Sequence, residues 1–253
     1  MTFKEWAYSS YPNPSIDGQW GFLHITTLIA SIVIIVTLSI LFRNKDEKQR
    51  KIVLYTIIGI ILFFELARRC INFCKTSEFT LEHILYITLP RPWCAISTWS
   101  FILLLFVKKQ WLYNFTSISS LLCAIIFFAY PGVGYNNRFI LFENLYSITA
   151  HMLLLIGSIS LITLRFTNFD YKHIWKELLY FVFIYVYAII EIFVLKVESD
   201  PLMFMPNNDV QAVLSMPYSE YLIVYAIFIA VFINMFYLIQ NKDKVLRMLN
   251  LKE

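Results

Sequence analysis

The chain has 253 residues, 59% of them hydrophobic, 18% aromatic and 15% charged, with a formal net charge of +4 and a mean hydropathy of +0.64. No soluble domain can keep that balance off its surface, so lipid must cover much of the chain. The mild positive charge is explained by loops facing anionic lipid, and no nucleic-acid motif accompanies it.

The residues before Gly21 are mostly polar or aromatic and include a single lysine, so no signal peptide is predicted and the first apolar run is the insertion signal. That run, 21–42, is uncharged and long enough to carry a helix across ~30 Å of hydrocarbon at ~1.5 Å per residue. His24 lies about one turn inside it. A second span, 52–73, reaches full length only by including Glu65, Arg68 and Arg69 in its last third. The third, 83–107, is broken by Pro90 and Pro92, after which come Cys94 and Ser97. Residues 110–137 and 144–164 are uncharged spans, and Asn144, Ser147 and His151 occupy the first half of the latter. The sixth span, 174–195, carries Glu191 near its far end. The seventh, 218–239, follows Pro217 and precedes a charged tail that reads as a short cytoplasmic helix.

This reading predicts an all-α fold: a polytopic membrane helix bundle of about seven transmembrane helices, with one transmembrane domain over 1–240 and a cytoplasmic tail at 241–253. Taking loops alternately, one side collects Arg43–Lys51, Lys108, Lys109, Arg165, Lys172, Lys176 and the tail. That side outnumbers the other two to one in Lys and Arg. The bias predicts the amino terminus outside and the carboxyl terminus in the cytoplasm of a cell membrane, with a bacterial plasma membrane expected.

Ionisable residues inside a membrane are functional candidates, and here those of five spans are expected in the outer half, as a solvated cavity opening outward requires. Asn144, Ser147, His151 and Ser158 fall within one narrow stripe at 100° per residue. They are either helix-to-helix glue or, for His151, an acid or base ~16 Å from the outer end of its span. Glu65 and Arg69 stand at i, i+4 with Arg68 beside them. The arginines either snorkel to outer headgroups or bind an anion such as a lipid phosphate, for which Arg91 is a further candidate. Glu191 aligns with Tyr187 and Tyr180, as a partner for arginine or as a catalytic carboxylate. Cys70, Cys74 and Cys123 read as packing residues, and His83 and His173 as interfacial. Cys94, at the proline break, is a candidate nucleophile. No spacing suggests a metal or a nucleotide cofactor.

Trp20-Gly-Phe-Leu-His24, Leu89-Pro-Arg-Pro-Trp-Cys94-Ala-Ile-Ser-Thr-Trp99 and Phe139…Phe142-Glu-Asn…Thr149-Ala-His151 together resemble the YwaF family of bacterial membrane proteins. That family is similar to the eukaryotic transmembrane protein 164. The resemblance runs over nearly the whole chain. It implies a six- or seven-helix fold and an acyltransferase that moves a fatty acyl chain between lipids through an acyl-cysteine with a histidine nearby. The pattern has a His where this chain has Pro92, and the resemblance puts the eukaryotic nucleophile where this chain has Arg91. His24 and His151 match.

The function expected is therefore a lipid-directed acyltransferase or hydrolase built around His151, with His24 and Cys94 as further catalytic candidates. Glu65, Arg68, Arg69, Arg91, Asn144 and Glu191 are expected to bind substrate. The alternatives are a binding or transport protein for a lipid or small anion, and a non-catalytic assembly factor. Membrane lipids are the expected partners.

Overall fold

The computed structural model describes residues 2–8, 20–75, 80–90, 93–129, 134–135, 140–195, 206, 208, 211 and 214–242. All regular structure among them is helical. It comprises α1 (Phe3–Tyr8), α2 (Phe22–Phe42), α3 (Glu47–Lys75), α4 (Leu81–Thr88), α5 (Trp93–Leu103), α6 (Gln110–Ala129), α7 (Phe142–Thr163), α8 (Ile174–Ile189) and α9 (Tyr218–Gln240). A short 3₁₀ turn, Tyr171–His173, leads into α8, and a π segment, Ile190–Val194, continues from it. The contacts divide the chain into two units, Met1–Thr167 and Asn168–Glu253.

Among the described residues, five helices are long and apolar enough to cross a membrane: α2, α6, α7, α8 with its π extension, and α9. The 29 residues of α3 are also sufficient in length, but Glu47, Lys48, Arg50 and Lys51 load its start and Glu65, Arg68 and Arg69 its end. The third expected span is two helices, α4 and α5, separated at Leu89 and Pro90. Proline lacks an N–H and disfavours helix in the residue before it, so the break falls where the sequence puts it.

In the first unit α6 is central: 72% of its most apolar stretch is buried inside the protein, against 11% for α2. Its buried Thr116, Ser117, Ser119 and Ser120 are small enough to let neighbouring backbones approach. Ser117 donates to the Ser158 carbonyl of α7 at 3.1 Å, and Trp93 Nε1 of α5 donates to Ser119 Oγ at 2.7 Å. Gly157 of α7 packs so tightly that a Cβ there would lie 2.6 Å from the Phe101 ring.

Opposite ends of this bundle differ in chemistry. At one end Ser39 of α2 donates to Thr163 of α7 at 3.0 Å, and Arg50 of α3 donates to the Leu164 carbonyl at 2.7 Å. The turn after α7 puts Arg165 at φ 62°, a left-handed conformation that disfavours side chains other than glycine. Phe166 and Thr167 N–H both return to the Leu161 carbonyl, and Phe166 stacks on Tyr113 at 5.8 Å, so the surroundings hold the strained residue in place. The other end, where α2 and α7 begin and α3 and α6 finish, gathers the buried ionisable side chains described next.

In the second unit, Tyr237 contacts Phe169 and Tyr171 through its ring, while Gln240 Oε1 accepts from the Phe169 N–H at 2.7 Å. These contacts tie α9 to the segment entering α8.

Candidate functional site

The buried stripe of α3, Val53, Leu54, Ile57, Ile58, Ile61 and Glu65, follows helical spacing, so Glu65 is directed inward by the same periodicity that buries its apolar neighbours. Its side chain is fully buried and accepts five hydrogen bonds. Arg68 donates from Nε at 3.2 Å and Nη2 at 3.0 Å, and Arg69 from Nε at 2.8 Å. Trp99 Nε1 of α5 donates at 3.0 Å and the Tyr146 hydroxyl of α7 at 2.8 Å. Arg69 Nη1 also donates to the Ile87 and Thr88 carbonyls at the end of α4, closing off the helix before the proline. Each guanidinium lies over an aromatic ring, Arg68 over Tyr146 at 5.0 Å and Arg69 over Trp99 at 4.9 Å. One carboxylate thus joins three helices, and the half-buried Cys94 sits in the electrostatic field of Arg68 and Glu65.

A second group lies on another face of α7. His151 is five residues past Tyr146, which rotates it by about 140° and advances it ~7.5 Å. There it stacks on Phe127 of α6, centroids 3.7 Å apart and planes within 5°. Its Nδ1 lies 2.7 Å from the Ser147 carbonyl. A carbonyl only accepts, so Nδ1 carries a proton, and in the neutral ring the lone pair belongs to Nε2. Phe127 also contacts Tyr135 and Phe128, and both of these contact His24. His24 is fully buried and covered by Trp20. Neither of its ring nitrogens makes a hydrogen bond of normal geometry, although the Phe128 backbone lies beside the ring. The two histidines therefore flank one aromatic layer, with Tyr135 fixed by a 2.6 Å bond to Thr27.

The candidates thus fall into two groups on α7. Glu65, Arg68, Arg69 and Cys94 belong to the first, and His151 and His24 to the second. Among the described residues no hydrogen bond joins Cys94 to His151. Asn144 donates to the Gly134 carbonyl at 3.2 Å, and the Ser147 backbone orients the imidazole. The reason is geometric: the Ser147 carbonyl is one turn back and within reach of Nδ1 in the rotamer His151 adopts, whereas Asn144 is two turns away. Of the predicted stripe, His151 meets α6 through Phe127 and the Ser158 backbone carbonyl meets it through Ser117, while the Ser158 hydroxyl donates within α7 to the Leu155 carbonyl. Glu191 belongs to the second unit, where it is fully buried in the π segment and accepts from Tyr187 at 3.0 Å, the tyrosine its spacing indicates. Arg91 lies outside the described residues.

Sequence reasoning missed Tyr146 and Trp99 as carboxylate donors and Phe127 and Tyr135 as the histidine surroundings. No short-range spacing relates them to their partners. It also missed Glu177, a fully buried carboxylate at the start of α8, whose signal was simply an acid between Trp175 and an apolar run. Among the described residues, no three His, Cys, Asp or Glu side chains are grouped to hold a metal.

Apolar helices of bilayer length, with charged side chains paired inside, define a multi-pass α-helical membrane protein. Its embedded helices are in keeping with lipid contact. The TMEM164 family profile matches residues 19–239, and the chain belongs to that family. No curated protein and no solved structure matched the chain.

Proposed function

We propose that this protein is a lipid-directed acyltransferase or hydrolase in which His151 is the base. The observation that carries the reading is the fixed tautomer: a buried imidazole whose Nδ1 is committed to the Ser147 carbonyl has Nε2 as its available lone pair. In this reading Nε2 takes the proton of a water or hydroxyl as its oxygen attacks a lipid ester carbonyl, and returns it to the departing alcohol. Cys94, beside Arg68, is the alternative nucleophile, attacking the same carbonyl to give an acyl-cysteine. His24, across the aromatic layer, is the second catalytic candidate. Arg68 and Arg69, with Arg91 and Asn144 as further candidates, hold the substrate; Glu191, within the second unit, is a separate substrate-binding candidate.

The same reading has the chain cross a bacterial plasma membrane about seven times, α3 and the α4–α5 pair supplying the two spans beyond the five. Residues 1–240 then form the membrane domain and 241–253 a cytoplasmic tail. The support is the separation within the first unit of the basic turns, residues 43–51 and 165, from the end holding Glu65 and the histidines.

Lipid mass spectrometry of cells with and without the protein tests the activity. New or missing acyl species are expected with the wild type and not with His151→Ala. His151→Asn should lower kcat by ~10²–10⁴-fold with little change in KM, the loss typical of removing a general base. Unchanged turnover in His151→Asn removes this residue from the mechanism. The second reading, binding or transport of a lipid or anion, is favoured by the absence of a Cys94–His151 hydrogen bond among the described residues, and predicts retained ligand with no acyl change.

A further inference from the structure

In the Glu65 cluster two guanidinium cations share one carboxylate, so among the described residues one positive charge stands uncompensated in a buried setting. The hydrogen bonds account for Nε and Nη2 of Arg68 and for Nε and Nη1 of Arg69. Two donor nitrogens are left over. Among the described residues Arg69 Nη2 is buried without a hydrogen-bond partner, and Arg68 Nη1 takes part in none of these bonds, on a side chain 23% exposed. Charges withdrawn from water are normally matched, and a buried donor normally has an acceptor. Tyr146 and Trp99 each cover one face of a guanidinium plane, and the unused donors point along the guanidinium edges, where a ligand would meet them.

We infer that the Arg68–Arg69 pair binds a single phosphate group, with Glu65, Trp99 and Tyr146 acting as positioning residues that hold the guanidinium edges in place. A phosphate fits better than a point anion because its oxygens match the planar donor fork and it supplies the missing negative charge. The carboxylate is then a strut and not a substrate ligand: all its hydrogen bonds come from protein donors. The site rests on the cluster's own geometry. Only the assignment of the phosphate to a lipid headgroup, next to Cys94, rests on the lipid-directed function proposed above.

The test is ligand binding to the full chain in dodecyl maltoside, a detergent without phosphate, read by native mass spectrometry and by melting temperature. The probes are dioctanoyl phosphatidic acid, dioctanoylglycerol with the same chains, and inorganic phosphate. Phosphatidic acid is expected to bind saturably and raise the melting temperature, with dioctanoylglycerol at least tenfold weaker. Arg68→Gln should lose that preference, Arg68→Lys should retain part of it, and Lys109→Gln, in the loop before α6, should retain all of it. Inorganic phosphate binding as well as the lipid would uphold the site with a free ion as its source. Equal binding of the neutral and phosphate lipids overturns the inference, as does full phosphate preference in Arg68→Gln. Should Arg68→Gln fail to fold, the wild-type comparison of the two lipids decides alone. Binding is read without turnover, so an absent acyl activity and an absent phosphate site are separate results.

Discussion

Two acid–base pairs at the same i, i+4 spacing behave differently on one helix. Glu47 and Lys51 form an exposed ion pair at the start of α3, where the Lys51 ammonium holds the Glu47 carboxyl below its ordinary value, by hydrogen bond first and charge second. The stabilisation of that pair is present above the ordinary carboxylate pKa and is lost as pH falls through the lowered one. Water competes for both partners, so it contributes little. Glu65 and Arg69, five turns on, are fully and largely buried, so water competes far less for them. Replacing Glu65 by Gln leaves two cations facing each other inside the bundle, and a loss of ~3–5 kcal/mol is expected from breaking such a buried pair. Trp99→Phe removes one of five donors and should cost only about 1–2 kcal/mol. Thermal unfolding of both variants in detergent measures the difference; equal, small shifts would mean that the carboxylate is not the joint of the three helices.

The division of labour along α7 decides what its neighbours can be. One face supplies Tyr146 to α3, another supplies His151 and Ser158 to α6, and Gly157 lets Phe101 of α5 and Ile57 of α3 close in. A methyl at Gly157 would lie 2.6 and 2.9 Å from Phe101 ring carbons, and Phe101 is fully buried and cannot swing aside. Gly157→Ala should therefore destabilise by ~1–3 kcal/mol through overpacking. Gly59 of α3 has nothing within 4 Å of the same methyl, so Gly59→Ala should be neutral or stabilising by up to about 1 kcal/mol from helix propensity. Opposite signs for two identical substitutions on neighbouring helices are the expected result of a melting comparison. A gain at Gly157 would show the contact to be looser than its distances.

The arrangement across the membrane is the property of the whole chain that a single labelling experiment resolves. In a background with the exposed Cys70 and Cys74 replaced by Ser, a cysteine at Trp20 should react with an impermeant maleimide on intact cells. A cysteine at Lys109 should react only after lysis. The reverse pattern would invert the orientation and place the Glu65 and histidine groups toward the cytoplasm. The sequence by itself determined the helical class, the bilayer-length runs at α2, α6, α7, α8 and α9, the break at Pro90 and the i, i+4 placement of Glu65 and Arg69. Each of these follows from local physics, namely uninterrupted apolar length, the missing proline N–H and a period of 3.6. It could not separate the two groups on α7, find Tyr146, Trp99, Phe127 and Tyr135, or name the Ser147 carbonyl as the partner of His151. Those outcomes depend on which helices become neighbours and at what rotation, and residues far apart in the chain meet only when packing has chosen both.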